Sequence, residues 1–245
     1  MRQLFISDLH LGDHNPALME LFQAFMEHFI QPEDELYILG DFFEVWIGDD
    51  DHNPTAEGVI GLLANHSGKK YLMHGNRDFL IGNAFANACN AELLEEPHDI
   101  HINGQHWVLM HGDSLCTDDE AYQQFKTMVR NPQWQAEFLA KSLAERQAIA
   151  QSMRDQSKQS AQMKAADIMD VAQTTVTETF ESTSADVILH GHTHRQNRHQ
   201  LTINGKAKER IVLGDWGETC SVLVVEQQSV TLQNHSLNDL LATEH

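Results

Sequence analysis

The chain has 245 residues, 41% of them hydrophobic, enough to bury a sizeable core as one domain or as one domain carrying an insertion. Its formal charge of −20 argues against nucleic acid as the main partner, because phosphate backbones are bound through clustered Lys and Arg. No apolar run approaches bilayer-spanning length, the start Met1-Arg2-Gln3-Leu4-Phe5-Ile6-Ser7 lacks the shape of a signal peptide, and Cys89, Cys116 and Cys220 have no Cys-x-x-Cys spacing, so a soluble, unexported chain without disulfides or a thiolate zinc site is expected in a reducing cytoplasm.

In chain order, five short apolar runs each end in a polar cluster. Leu4-Phe5-Ile6 precedes Asp8, Leu36-Tyr37-Ile38-Leu39 precedes Asp41, Tyr71-Leu72-Met73 precedes Asn76, Trp107-Val108-Leu109-Met110 precedes His111, and Val187-Ile188-Leu189 precedes His192. Runs of this length and character read as buried strands. Pro16 to Ile30 and Thr55 to His66 have helical length and spacing, which gives a β-α-β-α alternation over the first third. Residues 118–182 carry no strand signal and are rich in Ala, Gln, Met, Lys and Glu, so helices inserted between two strands are expected. From Arg198 onward, Ile211-Val212-Leu213 and Val222-Leu223-Val224-Val225 alternate with the turn Asn204-Gly205, predicting a hairpin-rich second sheet. The expected fold is α/β, two facing mixed β-sheets flanked by helices, in one domain over 1–245 with a helical insertion at 118–182.

Charge is uneven along the chain. Residues 118–164 hold seven of the sixteen basic residues against six acids, leaving +1 there and −21 elsewhere. An anionic ligand finds this segment the least repulsive part of the surface.

In open α/β sheets functional groups gather where strands end, and here all five strands deliver a hard or borderline metal ligand at that point. Asp8 and His10 are two residues apart, as are His192 and His194; in an extended chain such pairs point to one side and can reach one ion. Asp41 has two oxygens and can bridge two ions. Asn76 and His111 complete an N/O set without thiolate that suits Mn, Fe, Zn or Co better than Ca. Each piece alone is weak, since a strand-end His is more often hydrogen-bonded structure than ligand. The ordered set Asp-Leu-His-Leu, Gly-Asp-Phe-Phe, His-Gly-Asn-Arg-Asp, His-Gly-Asp and His-Gly-His-Thr-His is far more specific.

These motifs resemble those of the calcineurin-like metallophosphoesterases. The resemblance implies an αββα sandwich with one ion held by Asp8, His10, Asp41 and His194 and a second by Asp41, Asn76, His111 and His192; manganese is the expected metal. Further stretches, Gly40 to Asp51, Gly75-Asn76-Arg77-Asp78-Phe79-Leu80, His111 to Asp119 and Ile168-Met169-Asp170-Val171, are similar to the UDP-2,3-diacylglucosamine pyrophosphohydrolases of lipid A biosynthesis. That similarity covers nearly the whole chain and weakens after about Thr202. It implies hydrolysis of a lipidated UDP-sugar to UMP and a 2,3-diacylglucosamine 1-phosphate, with Asn76, Arg77, Asp119, Ser157, Lys164 and His192 contacting substrate. Ala161 stands where relatives can have Asn, so one side-chain hydrogen bond is lost there. The helical insertion becomes a candidate substrate cap, and the lipid substrate makes peripheral binding to the cytoplasmic face of the inner membrane the expectation, for a monomer.

Two cations about 3.5–4 Å apart would provide a bridging hydroxide for attack on the uridine-side phosphorus. Many relatives carry His after the Gly-Asn pair, available to protonate a leaving group, where this chain has Arg77. An arginine cannot serve as that acid, but it can clamp phosphate oxygens. Trp134, Phe138, Leu139, Leu143, Ile149 and Met153 are candidates for an acyl-chain groove or a membrane-facing surface, with ordinary helix packing at least as good a reading. Glu44, Asp49, Asp50 and Asp51 read as a solvated acidic loop, His74 and His190 as structural neighbours of the ligands, Asp78 as an orienting group or turn residue, and Cys116 as a small buried residue. Competing functions are another phosphoesterase of this fold, such as a nucleotide phosphodiesterase or protein phosphatase, and a non-catalytic scaffold.

Overall fold

The computed structural model describes residues 2–163, 168 and 170–242, with backbone alone at 158 and 160–163. In chain order the elements are β1 (Gln3–Ile6), α1 (Pro16–Ala24), β2 (Glu35–Leu39), α2 (Pro54–Asn65), β3 (Lys70–Met73), α3 (Asn83–Ala88), β4 (Glu92–Leu94), β5 (His98–Ile102) and β6 (Gln105–Leu109). After these come α4 (Glu120–Val129), α5 (Pro132–Leu139), α6 (Leu143–Met163), α7 (Gln173–Thr183), β7 (Val187–His190), β8 (Asn197–Ile203), β9 (Lys206–Val212), β10 (Thr219–Glu226), β11 (Ser229–Ser236) and α8 (Leu237–Leu241). The expected helices start where capping chemistry allows: the Asn53 side chain accepts from Ala56 N at 2.9 Å with Pro54 in the first turn, and Asn131-Pro132 opens α5 the same way. The helix expected to reach Ile30 instead widens into a π turn over Phe25–Phe29.

Two sheets face each other. The first runs β11-β10-β1-β2-β3-β4 and the second β5-β6-β7-β9-β8. β1 to β4 are mutually parallel, and so are β6, β7 and β9. Phe5, Tyr37, Leu39, Met73, Trp107, Leu109, Leu189, Ile211 and Leu223 fill the space between the sheets. On the outer face of the first sheet Leu4, Ile6, Leu36 and Ile38 pack beneath Phe22 and Phe25 and the α2 residues Val59 and Leu63. Both faces are dry, which is why these strands read as unbroken apolar runs rather than alternating ones.

The C-terminal hairpins do not make a sheet of their own. β8 and β9, joined by Asn204-Gly205 with both φ angles positive, add to β7, whereas β10 and β11 cross over and add to β1. Val222-Leu223-Val224-Val225 is buried on both faces, so β10 needs a covered neighbour on either side. Hairpin chemistry fixes the local pair but says nothing about which buried edge receives it.

The helical stretch 118–182 divides by what it touches. α7 sets Val176 and Phe180 against Val108 and Ile188 on the outer face of the second sheet. α4 to α6 are tied to loops of the first sheet by basic side chains. Arg146, 2% exposed, donates from Nη1 to Ile47 O (2.6 Å) and Asp50 Oδ1 (2.7 Å); Arg154 pairs with Glu44; Arg130 Nη2 donates to Gly75 O at 2.9 Å. The loop expected to be a solvated acidic surface is therefore an anchor. Asp49 accepts from Trp46 Nε1, Gly82 N and Phe85 N, which caps α3, and Glu44 and Asp50 receive α6.

Replacing Arg146 strands a buried carbonyl at Ile47 and frees α6 from the loop. In Arg146→Ala, amide exchange should quicken in 132–150, with protection there falling by about 1–3 kcal/mol while β1, β2 and β7 stay protected. Equal loss throughout would mean that α5 and α6 unfold only with the whole domain.

Candidate metal centre

Asp8, Asp41, Asn76, His111, His192 and His194 lie just beyond the ends of β1, β2, β3, β6 and β7, and the structure brings them together with His10. The backbone there is not extended, as the two-residue spacings suggest, but turned: Asp8, His10, Asp41, His192 and His194 all have φ between 51° and 65°. Such left-handed turns in non-glycine residues cost on the order of 1–3 kcal/mol each and persist where surroundings enforce them. Asp8 N donates to Gly40 O (3.1 Å), His10 N to Asp41 O (3.0 Å) and His192 N to Asp8 Oδ2 (2.9 Å). A β-carbon at Gly191 would collide with Ser7 and Asp8, and one at Gly75 with Asp41, which gives the His-Gly and Gly-Asn pairs their physical reason.

Donor atoms converge on two neighbouring points. Those of Asp8, His10 and His194 lie within 4.8 Å of one another, as do those of Asp8, Asp41 and His111. His10 Nε2 is 3.3 Å from His194 Nε2, and Asp8 Oδ1, buried and without a hydrogen bond among the described residues, is 3.3 Å from the same nitrogen. Asn76 Oδ1 faces His111 Nε2 at 3.0 Å and His192 Nδ1 at 2.8 Å. His111 Nδ1 must donate to Leu39 O, 2.9 Å away, so in the neutral ring Nε2 turns a lone pair toward an amide oxygen. A proton on Nε2 satisfies that contact in the metal-free protein, and a cation taking its place would accept both the ring lone pair and the amide oxygen. The donor set is mixed N and O, of the kind first-row divalent ions take.

Asp8 shares both groups, whereas Asp41 Oδ1, 3.7 Å from His111 Nε2, also accepts from Arg77 N at 2.8 Å. Burial pushes the Asp41 carboxyl up to about 7, with Asp78 and Asp8 adding to it. Burial would also raise Asp8, but the contact with His194 and the nearby His111 hold it far below the usual carboxylate range. Desolvation pulls His10 down to about 3 and His192 to about 4. It acts the same way on His111, where the Asp41 and Asp8 charges outweigh it and raise the ring to about 9.

Beside these donors a cavity of about 560 Å³ opens, walled by Asn76, Arg77, Asp119, Tyr122, Ser157 and His192 together with Trp46, Phe79, Phe125, Trp134, Phe138 and Met153. Asn76, Arg77, Asp119, Ser157 and His192 line this one cavity; the Ala161 side chain and Lys164 lie outside the described residues. Of the suggested apolar set, Trp134, Phe138 and Met153 line the cavity, Ile149 packs on the core, and Leu139 and Leu143 are exposed. His74 Nε2 bonds Ile81 O, and His190 sits fully buried between Gly191 O and Arg210 Nη1, both structural. Cys116 is a buried thiol.

Sequence reasoning missed four participants, Glu44, Arg154, Tyr122 and Asp215. Glu44 Oε1 accepts from both Arg77 Nη1 (3.0 Å) and Arg154 Nη2 at the cavity wall. Tyr122 sets its ring 5.9 Å from that of His192 while its hydroxyl donates to buried Asp113. Asp215 lies 3.3 Å from His194 Nδ1. Only Tyr122 carried a local signal, standing three residues after the helix-capping Asp119.

Residues 1–196 match the family model described as calcineurin-like phosphoesterase. The chain belongs to that family. Among curated proteins, this phosphoesterase is 45% identical over 237 residues to a UDP-2,3-diacylglucosamine hydrolase of Cellvibrio japonicus, spanning 96% of this chain and 99% of that one. It is 47% identical to the enzyme of the same name from Hahella chejuensis (89% and 91%) and 41% identical to that of Tolumonas auensis (97% and 98%). Relatives so similar over full length make the phosphoesterase a hydrolase of their family.

Asp78, fully buried, accepts from Phe42 N (2.7 Å), Phe43 N (3.3 Å) and Gly75 N (2.8 Å), tying the Asp41 loop to the Asn76 loop rather than touching the Arg77 side chain. Asp78→Ala should cost about 3 kcal/mol or more in urea unfolding, with Asp78→Asn between it and wild type; a loss under about 1 kcal/mol would refute the tie.

Because the folded values of Asp41 and His111 exceed their ordinary ones, the metal-free protein keeps protons on these groups up to about pH 7 and 9. A divalent ion must displace them, so its affinity should rise as pH rises through that window and binding at pH 7 should release protons. Calorimetric titrations in buffers of different ionisation enthalpy read this directly; identical heats would contradict it.

Proposed function

We propose that this phosphoesterase hydrolyses the pyrophosphate bond of UDP-2,3-diacylglucosamine, giving UMP and 2,3-diacylglucosamine 1-phosphate. Two divalent ions, manganese in our reading, are held by Asp8, His10, Asp41 and His194 and by Asp41, Asn76, His111 and His192. The observation that carries the reading is the junction of the converging donors with a cavity lined both by the guanidiniums of Arg77, Arg154 and Arg195 and by apolar Trp134, Phe138 and Met153. The names of relatives at 41–47% identity supply the substrate. Bound cations of this kind make hydroxide available at neutral pH and offset charge building on phosphorus, here the uridine-side atom.

Arg77 reaches the cavity from the loop after β3, its backbone N–H fixed on Asp41 Oδ1 and its Nη1 on Glu44. A guanidinium stays charged throughout and donates in a fork, so it binds phosphate oxygens and stabilises charge rather than passing a proton. The leaving group of an anhydride is a phosphate, which departs with less protonation than an alkoxide. Arg77 in place of an acid therefore suits this bond. Trp134, Phe138 and Met153, with Phe79 on the core side, give acyl chains an apolar wall, and α4 to α6 act as the substrate cap. Exposed Leu139 and Leu143 on that cap favour peripheral contact with a membrane, where this substrate resides.

Metal-stripped protein should release UMP from UDP-2,3-diacylglucosamine only after Mn²⁺ or another divalent ion is restored, and should act poorly on soluble monoesters. Release of UDP would sink the assigned attack site, and preference for monoesters would favour the generic phosphatase. Arg77→Ala should retain its metal while kcat falls about 10²–10³-fold.

A further inference from the structure

We infer that Asp215 is a positioning residue for one of the two ions, acting through His194; the inference rests on the metal reading above. His194 turns Nε2 toward Asp8 Oδ1 and His10 Nε2, each 3.3 Å away, and its opposite nitrogen, Nδ1, toward Asp215 Oδ2, also 3.3 Å away. A carboxylate in ion-pair contact with Nδ1 favours a proton on that nitrogen, which leaves the Nε2 lone pair free for a metal and makes the ring a stronger donor.

The backbone that carries Asp215 is pinned on both sides. It belongs to the connection between β9 and β10, where the chain passes from the second sheet to the first. Leu213 N donates to His190 O (2.8 Å), Gly214 N to Ser221 Oγ (3.1 Å) and Trp216 N to Asp8 O (3.1 Å). The Trp216 ring is buried against Phe22 and Phe25 and donates to Ser221 O. The connection is thereby bonded to the Asp8 loop and to the strand that delivers His194, while the Asp215 side chain itself is half exposed and adds nothing to the core. A carboxylate held on rigid backbone, spared from packing and aimed at the back of a ligand has the attributes of an orienting group.

The other imidazoles are backed differently. His111 leans on the Leu39 carbonyl, and His10 Nδ1 lies 3.4 Å from Glu44 Oε2, whose carboxylate also serves Arg77 and Arg154. Loss of Asp215 should therefore fall on the ion shared by Asp8, His10 and His194 and spare its neighbour. Asp215 also lies beyond residues 1–196, the part matched by the family model.

The test titrates metal-stripped protein with Mn²⁺, following free Mn²⁺ by electron paramagnetic resonance, in wild type, Asp215→Ala, Asp215→Asn and Glu218→Ala. Asp215→Ala should weaken one of two binding steps about 10–100-fold and leave the other in place. Asp215→Asn keeps an oxygen to accept from Nδ1–H and should fall between. Glu218→Ala removes the same charge from the same exposed stretch and should change neither step. Half-maximal activity of Asp215→Ala should need more Mn²⁺ than that of wild type. Unchanged affinity for both ions in Asp215→Ala, or an equal loss in Glu218→Ala, would overturn the positioning role. A wild type that binds no Mn²⁺ would overturn the metal reading and this inference with it.

Discussion

Two carboxylates taken wholly out of water, Asp8 and Asp41, set the terms for the rest of the molecule. An uncompensated buried charge costs several kcal/mol, and here two like charges share a pocket with four imidazoles. Without a cation, the protein compensates by protonation: Asp41 and His111 keep protons they would otherwise shed, and Asp8 stays ionised against His194. Most of the unusual local structure exists to hold this arrangement. The left-handed turns bring the side chains inward, Gly75 and Gly191 let backbones approach, and Asp78 ties two ligand loops through three backbone bonds. The strain and desolvation accumulated at one spot make sense for a site completed by divalent ions.

The dry sandwich beneath it supplies the rigidity that such convergence requires. Parallel strands β1, β2 and β3, and β6 with β7, present their C-terminal ends along one rim, so five loops reach a common point. Apolar packing on both faces of each sheet prevents a strand from sliding by one residue, which would reverse the facing of every side chain on it. Ligand geometry is thus inherited from register.

What the sequence makes legible follows from how local the signal is. Apolar runs ending in Asp, Asn or His announce both strand and ligand, because one short segment contains the whole message. The joining of β10 to β1 was not legible, since it depends on which buried edge lacks a neighbour, a property of the assembled sheets. Nor was the left-handed backbone at Asp8, His10 and His194, as nothing in a non-glycine residue marks positive φ in advance. Glu44, Arg154 and Asp215 escaped for a third reason: each is an ordinary exposed-type residue until a partner distant in sequence gives it a role. Arg154 is 110 residues from Glu44, and the acidic stretch looked solvated because its counter-charges lie in α6.

Those counter-charges change what the near-neutral segment 118–164 does. Four of its seven basic residues are spent within the protein: Arg146 on Asp50, Arg154 on Glu44, Lys126 on Asp113 and Arg130 on a carbonyl of the Asn76 loop. These four are therefore a poor source of attraction to an anionic surface. The same bookkeeping applies inside the cavity. A phosphate meeting Arg77 or Arg154 finds each guanidinium already on Glu44, so every new bond is an exchange of carboxylate for phosphate, and its net worth is the difference between two charge-assisted contacts. Discrimination then rests on geometry. On the proposed reading a diphosphate would engage the ions and the arginines together, whereas a monoester that reaches the ions has no second phosphate to draw the arginines from Glu44. On the same reading, a preference for an anhydride would arise from this competition within the protein as much as from the fit of its pocket.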